Sequence, residues 1–221
     1  MAATPRHAFD EQLASLQGDV VRMGGLAAEA LGLALQQLTG QDHELAARVL
    51  DIENQIDALN LDIESRALQL LARQQPMARD LRIIAAVLRI ITDVERIGDY
   101  SVDTSKQAQR LAAAPRCELP PEIPHMGAVV QQMLGESLQA FVRHDLQLAR
   151  RAAARDDEVD HDYHQLYDRL VELLHGDPGQ AEAVACLLLI SAYLERMADH
   201  VTNIDERVWF METGELQELH E

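Results

Sequence analysis

Asp93-Val94-Glu95-Arg96-Ile97-Gly98-Asp99 decides the fold, because the chain repeats this stretch 100 residues later as Tyr193-Leu194-Glu195-Arg196-Met197-Ala198-Asp199. The glutamate, the arginine and the final aspartate keep their places in both copies, and Asp103 corresponds to Asn203. Each copy lies in a long apolar segment with helical periodicity. A repeat of this kind predicts a duplicated architecture.

Both copies place two carboxylates on the apolar face of a helix. A helix turns by about 100° per residue, so residues four apart lie about 40° from each other. Measured from Ile84, Glu95 falls at about 20° and Asp99 at about 60°, within the face that Val87 and Ile91 define. In the second copy, Glu195 and Asp199 follow the same pattern. We therefore expect these acids to face the core, where an unpaired charge costs on the order of several kcal/mol.

Composition narrows the class of protein. The 221 residues allow one large or two small domains, and 48% hydrophobic with only 4% aromatic residues is typical of aliphatic helix packing. The formal net charge of −18 makes a nucleic-acid partner unfavourable. The same charge favours cations or basic partner surfaces.

Neither a secretory signal nor a membrane span is visible in the sequence. The longest apolar run, Ala183 to Leu194, is too short to cross a bilayer and indicates a buried helix. Cys117 and Cys186 have no disulfide or metal-ligand spacing, which favours free thiols in a reducing compartment. We expect a soluble, cytoplasmic protein without membrane insertion, for which peripheral membrane contact stays open.

The periodicity predicts an all-α fold of two tandem three-helix bundles. The first bundle takes residues 1–114, a proline-rich linker takes 115–124 and the second bundle takes 125–221. Asp42 is the predicted cap of the second helix, and the Gly24-Gly25 pair is a candidate point of close packing between helices. The predicted helices span about 5–38, 42–73, 76–112, 124–143, 145–175 and 178–212.

The second helix of each bundle carries further acids at four-residue spacing. Glu53 and Asp57 in the first bundle correspond to Asp156 and Asp160 in the second, and they flank the apolar stripes rather than enter them. Since adjacent helices of a bundle run antiparallel, these acids could meet Glu95 or Glu195 across the seam and bring four carboxylates together. Such oxygen ligands suit hard cations. A solvated groove in which Arg96 compensates the acids stays open as an alternative.

Catalytic patterns are sparse. Glu158 and His161 form one Glu-x-x-His motif, but a carboxylate-bridged di-iron bundle needs this motif on two helices. Gly98 and Ala198 stand where the ligand histidines would be. We predict a protein that is not an enzyme, with a carboxylate-bridged metal oxidoreductase or a phosphohydrolase as the alternative.

At the level of families, the chain resembles PhoU proteins, accessory regulators of the phosphate-specific transport system. The resemblance covers nearly the whole chain together with the repeat plan. It is carried by RMGGLAAEAL (22–31), QQPMARDLR (74–82), DVERIGDYSVD (93–103) and LERMADHVTNIDERVWFMETGEL (194–216).

The resemblance implies a metal ion or small metal cluster on each bundle, without indicating whether it is Mg, Mn, Fe, Ca or Zn. It also implies a cytoplasmic homodimer that links the phosphate ABC transporter to a sensor histidine kinase and keeps phosphate-starvation genes off when phosphate is plentiful. By this resemblance the first site takes Glu53, Asp57, Glu95 and Asp99, and the second takes Asp156, Asp160, Glu195 and Asp199. Asp103 and Asn203 are additional candidates.

Overall fold

Every regular element of the described chain is a helix, which confirms the predicted all-α class. The computed structural model describes residues 5–40, 44–114 and 118–219. Asp42, the predicted cap, and residues 115–117 of the predicted linker lie outside the described residues. The elements are α1 (Pro5–Gly40), α2 (Glu44–Gln74), α3 (Arg79–Ala113), α4 (Glu122–Arg143), α5 (Leu146–Ala153), α6 (Asp156–Gly176), a 3₁₀ turn (Pro178–Gln180) and α7 (Ala181–Thr213).

The prediction of one continuous helix over 145–175 is wrong, because the segment forms two helices, α5 and α6. At the break, the Arg155 amide donates to the carbonyl of Ala152, and the Glu158 amide donates to the carbonyl of Arg155. These i→i+3 bonds tighten the turn without leaving the helical region of the backbone. Asp156 becomes the first residue of α6 and is only 5% exposed.

The third helix of each repeat begins later than its proline suggests. Ala78 has a positive φ of 50°, so α3 starts at Arg79 rather than at Pro76. In the second repeat, Oδ1 of Asp177 accepts a hydrogen bond from the Gly179 amide at 3.0 Å and starts the 3₁₀ turn before α7.

The two repeats meet along α3 and α7, which form the most extensive helix–helix contact among the described residues. Asp93 contacts His200, Tyr100 stacks on Tyr193 at 5.7 Å between ring centroids, and Arg82 donates to the Met211 carbonyl. Residue numbers rise along α3 as they fall along α7, so the two helices run antiparallel. Position 93 corresponds to 193 in the repeat, and position 100 corresponds to 200. The contacts 93–200 and 100–193 are therefore equivalent and are related by a local two-fold axis.

The same two-fold relation governs the contact of α1 with α4. A Cβ on Gly24 would lie 2.5 Å from Cδ1 of Leu138, and a Cβ on Gly127 would lie 2.5 Å from Cδ1 of Leu35. Each helix therefore offers a glycine to a leucine of the other, which allows close approach. The close packing predicted at Gly24 is confirmed, whereas its neighbour Gly25 faces open space. Through both contacts the buried residues of the two repeats join in one continuous core.

Each repeat also buries one polar contact between its first and last helix. The Ser105 hydroxyl lies 2.6 Å from Oε1 of Gln37, and the Ser137 hydroxyl lies 2.8 Å from Oδ2 of Asp205. Ser137 Oγ is also 2.8 Å from the carbonyl oxygen of Met133. The Ser137 hydroxyl thus lies within donating distance of both oxygens and shares its one proton between them. Burial raises the pKa of Asp205 well above its usual range, and the hydrogen bond from Ser137 offsets only part of this effect.

The raised pKa of Asp205 predicts a pH dependence of stability. A carboxyl whose pKa is higher in the folded than in the unfolded chain retains a proton that the unfolded chain releases. The free energy of unfolding therefore falls as pH rises from the unfolded towards the folded pKa. Asp205→Asn keeps the shape without the charge, so its melting temperature should match the wild type near about pH 4 and exceed it increasingly towards about pH 8. Circular dichroism melts across this range measure the effect. An exposed acid on α6, Asp168, gives the control Asp168→Asn, and parallel pH curves for all three proteins would contradict the prediction.

The adjacent glycines of α1 provide a matched pair for the α1–α4 contact. Gly25→Ala should stabilise the protein by about 0.5–1 kcal/mol, because alanine favours the helix and its Cβ meets open space. Gly24→Ala should not stabilise the protein in this way, since Leu138 must move away from the new Cβ. In a Leu138→Ala background the two substitutions should become equivalent. Urea unfolding of the full cycle tests the coupling, and equal effects of the two glycine substitutions in the wild-type background would refute the contact.

Candidate metal sites

The first carboxylate cluster lies across the seam between α2 and α3. Glu53 and Asp99 line one cleft of about 390 Å³, together with Asp103, Arg96 and Lys106. The side chain of Glu95 is 23% exposed and that of Asp99 is 37% exposed. The acids of α3 are thus half-buried at the edge of the core rather than enclosed within it.

The pKa values of this cluster show that its acids act on one another. Burial, followed by the negative charges of Asp57, Asp99 and Glu95, raises the pKa of Glu53. Burial and then Asp99 raise the pKa of Glu95, and Asp57 adds to the effect. Burial is also the main cause of the raised pKa of Asp99, and Asp57 contributes again. All four predicted acids of the first site are therefore close enough to be coupled electrostatically.

Two basic side chains compensate part of this charge. A guanidinium nitrogen of Arg96 lies 3.2 Å from Oδ2 of Asp99, and another lies 3.6 Å from Glu95. The Lys106 ammonium is 2.8 Å from Oδ1 of Asp103. Both basic side chains are more than half exposed, so these ion pairs are screened by water. They do not offset burial, since the pKa values of Glu95 and Asp99 remain raised.

The second cluster differs from the first in the exposure of its acids. Burial, then Asp199 and Asp160, raises the pKa of Glu195, while Arg196 and His164 lower it. Asp199 is exposed, and Asp156 is buried at the start of α6. The break before α6 thus gives Asp156 an environment unlike that of the half-buried Glu53, its counterpart on the continuous helix α2.

A glycine allows α2 to approach α3 closely at the first cluster. Gly98 faces α2, and a Cβ there would lie 3.0 Å from Cδ1 of Ile56. The corresponding Ala198 already carries a methyl group and is fully buried. Because the space beside Gly98 is filled by Ile56, the first site also has no room for the histidine that a di-iron bundle would require there.

Sequence reasoning missed the contribution of the second repeat to the surroundings of the first cluster. Nδ1 of His200 lies 2.9 Å from Oδ1 of Asp93, and the positive form of His200 lowers the pKa of Glu95. The Asn203 amide also points to Asp93, at 3.4 Å. The antiparallel crossing of α3 and α7 brings position 200 to position 93. The only sequence feature related to this contact is that Tyr100 and His200 occupy the same position of the repeat.

The donor set suits a hard cation, but the side chains are not gathered around one point. Across residues 5–40, 44–114 and 118–219, no three His, Cys, Asp or Glu side chains are placed to hold a single ion. The carboxylates of the first cluster are nevertheless coupled and have raised pKa values. A divalent cation would neutralise their combined negative charge. Glu53, Asp57, Glu95 and Asp99 would hold it, and the ion would supply positive charge that fixes α2 against α3.

No helix within the described part of the chain combines the length and apolar character required to cross a membrane. The fold and its paired carboxylates define a class of all-α protein built from a twice-repeated three-helix unit with acids on the seams.

Comparison with known proteins identifies the family of this class. The PhoU domain model matches residues 20–108 and again 123–208, and the chain belongs to the PhoU family.

Similar sequences extend over nearly the full length. The phosphate-specific transport system accessory protein PhoU homolog of Clostridium acetobutylicum is 32% identical over 98% of this chain and 99% of its own. The protein of the same description from Caulobacter vibrioides is 38% identical over 94% of this chain and 90% of its own.

Solved structures agree in fold. PhoU from Pseudomonas aeruginosa has a TM-score of 0.89 at 33% identity and covers 94% of this chain and 100% of its own. The phosphate transport system regulatory protein PhoU from Streptococcus pneumoniae has a TM-score of 0.88 at 30% identity, with coverage of 95% and 99%.

The raised pKa values predict how the first cluster responds to neutralisation. Acids whose pKa is raised by folding stabilise the folded chain at low pH, and this stability is lost as pH rises through the folded pKa. At neutral pH without divalent cations, Glu95→Gln should therefore raise the melting temperature by a few degrees Celsius. Added Mg²⁺, Mn²⁺, Ca²⁺, Fe²⁺ or Zn²⁺ should raise the wild-type value more than that of the variant.

The control is Asp51→Asn, which removes an exposed acid of α2 outside the cluster. Thermal melts in chelator and in each cation give the shifts, and elemental analysis gives the bound metal. A wild type that binds no metal and gains no more from any cation than Glu95→Gln does would rule out the site.

Proposed function

We propose that the protein is a non-enzymatic regulator of phosphate uptake and phosphate-starvation signalling. It acts in the cytoplasm as an adaptor between the phosphate ABC transporter and a sensor histidine kinase, and it keeps starvation genes off when phosphate is plentiful. The observation that carries the proposal is the full-length likeness to proteins described as accessory or regulatory proteins of phosphate transport. The proposal extends to a homodimer and to metal at both carboxylate clusters.

The geometry supports an adaptor in two ways. Helices of 31 to 36 residues present faces about 47–54 Å long, which suits contacts with more than one partner. The acid clusters lie on the seams between helices, where a bound cation would hold α2 against α3 and α6 against α7. The proposed role of the metal is to set the shape of these faces.

The carboxylate-bridged metal enzyme is the less favoured candidate. The first cluster lacks a histidine at position 98, and Ile56 fills the space that such a ligand would need. The basic groups at the first cleft, Arg96 and Lys106, already pair with Asp99 and Asp103, so a phosphoester would have to displace these ion pairs. Iron-loaded protein should therefore consume no oxygen above a chelated control and should hydrolyse no phosphomonoester, and robust turnover in either assay would favour the enzyme.

Deletion of the gene in its own host tests the regulatory role. With abundant phosphate, a reporter from a phosphate-starvation promoter should switch on in the deletion strain, and the wild-type chain should switch it off again. In a strain that also lacks the sensor kinase, the reporter should stay off with or without the chain, because the kinase that the adaptor restrains is absent. A reporter that stays off after deletion would contradict the proposal.

A further inference from the structure

The outward face of α2 carries a row of exposed leucines, which we name the leucine stripe (Leu50, Leu61 and Leu68). They expose 50%, 67% and 52% of their surface. On the helix they lie within about 20° of one another and extend over about 27 Å. The stripe is about 140° from the centre of the buried face that packs on α1 and α3. Leucines scattered singly over a surface are ordinary, but three aligned on one helix face are typical of an interaction site.

The second repeat serves as an internal control for the stripe. Glu53 corresponds to Asp156 and Asp57 to Asp160, so positions of α2 recur 103 residues later. The counterparts of the three leucines are Ala153, His164 and Val171. Ala153 is buried at the end of α5, before the break in the helix, whereas His164 and Val171 lie on α6, so the second repeat folds without leucines at these positions. Packing within the unit does not account for them.

A row of carboxylates runs beside the stripe, and we name it the acid row (Glu53, Asp57 and Glu64). These acids lie about 20° to 60° from Leu50 around the helix, all on the same side. Leu50 itself lines the first carboxylate cleft with Glu53 and Asp99. The face of α2 thus joins an apolar row to a negative one.

The arginines of α2 near this face do not neutralise the acid row. Arg66 binds Asp19 at 2.6 Å and Asp62 at 2.9 Å, on the side towards α1. Arg48 lies 3.7 Å from Glu29, also on α1. The arginines of α2 thus leave the acid row to other groups: Arg96 and Lys106 of α3 lie at the Glu53 end, whereas Glu64 lies outside that cleft, in a chain whose formal net charge is −18.

We propose that the leucine stripe docks an amphipathic, positively charged helical segment of a partner protein. Its apolar residues, spaced three and four apart, would cover Leu50, Leu61 and Leu68, and its lysines or arginines would face the acid row. Charge complementarity of this kind selects the partner and speeds association. A second copy docked on the stripe would bring its own acid row against this one, and an anionic membrane surface would be repelled by the formal net charge of −18. The inference rests on the proposed function in that it gives the chemistry of one partner of the adaptor.

The test uses a synthetic, fluorescein-labelled 18-residue peptide of leucine and lysine that forms an amphipathic helix, with a leucine–glutamate peptide of the same pattern as the control. Fluorescence anisotropy with the full chain gives the Kd. The triple variant Leu50→Ser/Leu61→Ser/Leu68→Ser should bind the leucine–lysine peptide about tenfold more weakly or worse. The leucine–glutamate peptide should not bind any of the proteins.

The matched control removes three apolar side chains of similar exposure from other helices, Val142, Leu174 and Leu189, which expose 51%, 37% and 40% of their surface. Val142→Ser/Leu174→Ser/Leu189→Ser should keep the wild-type Kd within about twofold. Glu64→Lys, which changes the acid row outside the proposed metal ligands, should weaken binding and reduce its dependence on salt. Unchanged helical circular dichroism and melting temperature show that each variant folds. Equal losses in both triple variants, or none in the stripe variant, overturn the proposal.

Two further measurements identify other occupants. If light scattering gives a dimer for the wild type and a monomer for the stripe variant, a second copy covers the stripe and the proposal fails. If the stripe variant loses co-sedimentation with phosphatidylglycerol–phosphatidylcholine vesicles that the wild type binds, a lipid surface covers it and the proposal also fails.

The stripe and the regulatory role fail in different assays. A stripe variant that loses the peptide but restores regulation in the deletion strain refutes the stripe as the adaptor surface and leaves the regulatory role intact. A deletion strain with an unchanged reporter refutes the regulatory role, whereas peptide binding still reports on the stripe alone.

Discussion

The antiparallel packing of α3 on α7 is the interaction on which the rest of the structure depends. Both helices are buried along most of their length, and Ile97 and Met197 are fully buried where the repeated stretches meet. Each helix is also covered by the other helices of its own repeat, α1 and α2 for α3, and α4, α5 and α6 for α7. The faces left for solvent are narrow, and they are where Glu95 and Glu195 emerge. A rigid central pair therefore sets the positions of both acid clusters.

The carboxylates at the edge of this core are partly desolvated, and the basic side chains of the protein do not fully compensate for that desolvation. Arg96 pairs with Glu95 and Asp99, but burial keeps the pKa values of both acids raised. Asp205 differs in its degree of burial, which raises its pKa well above the usual range, and its carboxyl group accepts a hydrogen bond from Ser137. The contrast follows from exposure: the pKa of a carboxyl rises further as it is more completely buried, and a half-buried carboxylate such as Asp99 still pairs with Arg96.

The repeat, the helices and the coupling of the first four acids could be predicted because they depend on local periodicity and on a spacing visible in one chain. The break before Asp156 could not, since the sequence around Ala154 contains neither glycine nor proline. The late start of α3 depends on a positive φ at Ala78, which alanine rarely adopts. Contacts such as His200 with Asp93 or Ser137 with Asp205 depend on how the two repeats pack, and an intramolecular crossing angle leaves no periodic trace in the sequence.

The local two-fold axis between the repeats has an evolutionary consequence. Gly24 contacts Leu138, the counterpart of Leu35, and Leu35 contacts Gly127, the counterpart of Gly24. Reciprocal contacts of this kind are those of an isologous dimer. Two copies of a three-helix ancestor about 100 residues long could form the same core by association, and fusion into one polypeptide would preserve it at any concentration. Once fused, the halves were free to accumulate different substitutions. A symmetric ancestor had to carry every surface twice, whereas the present chain can devote α2 and α6 to separate tasks.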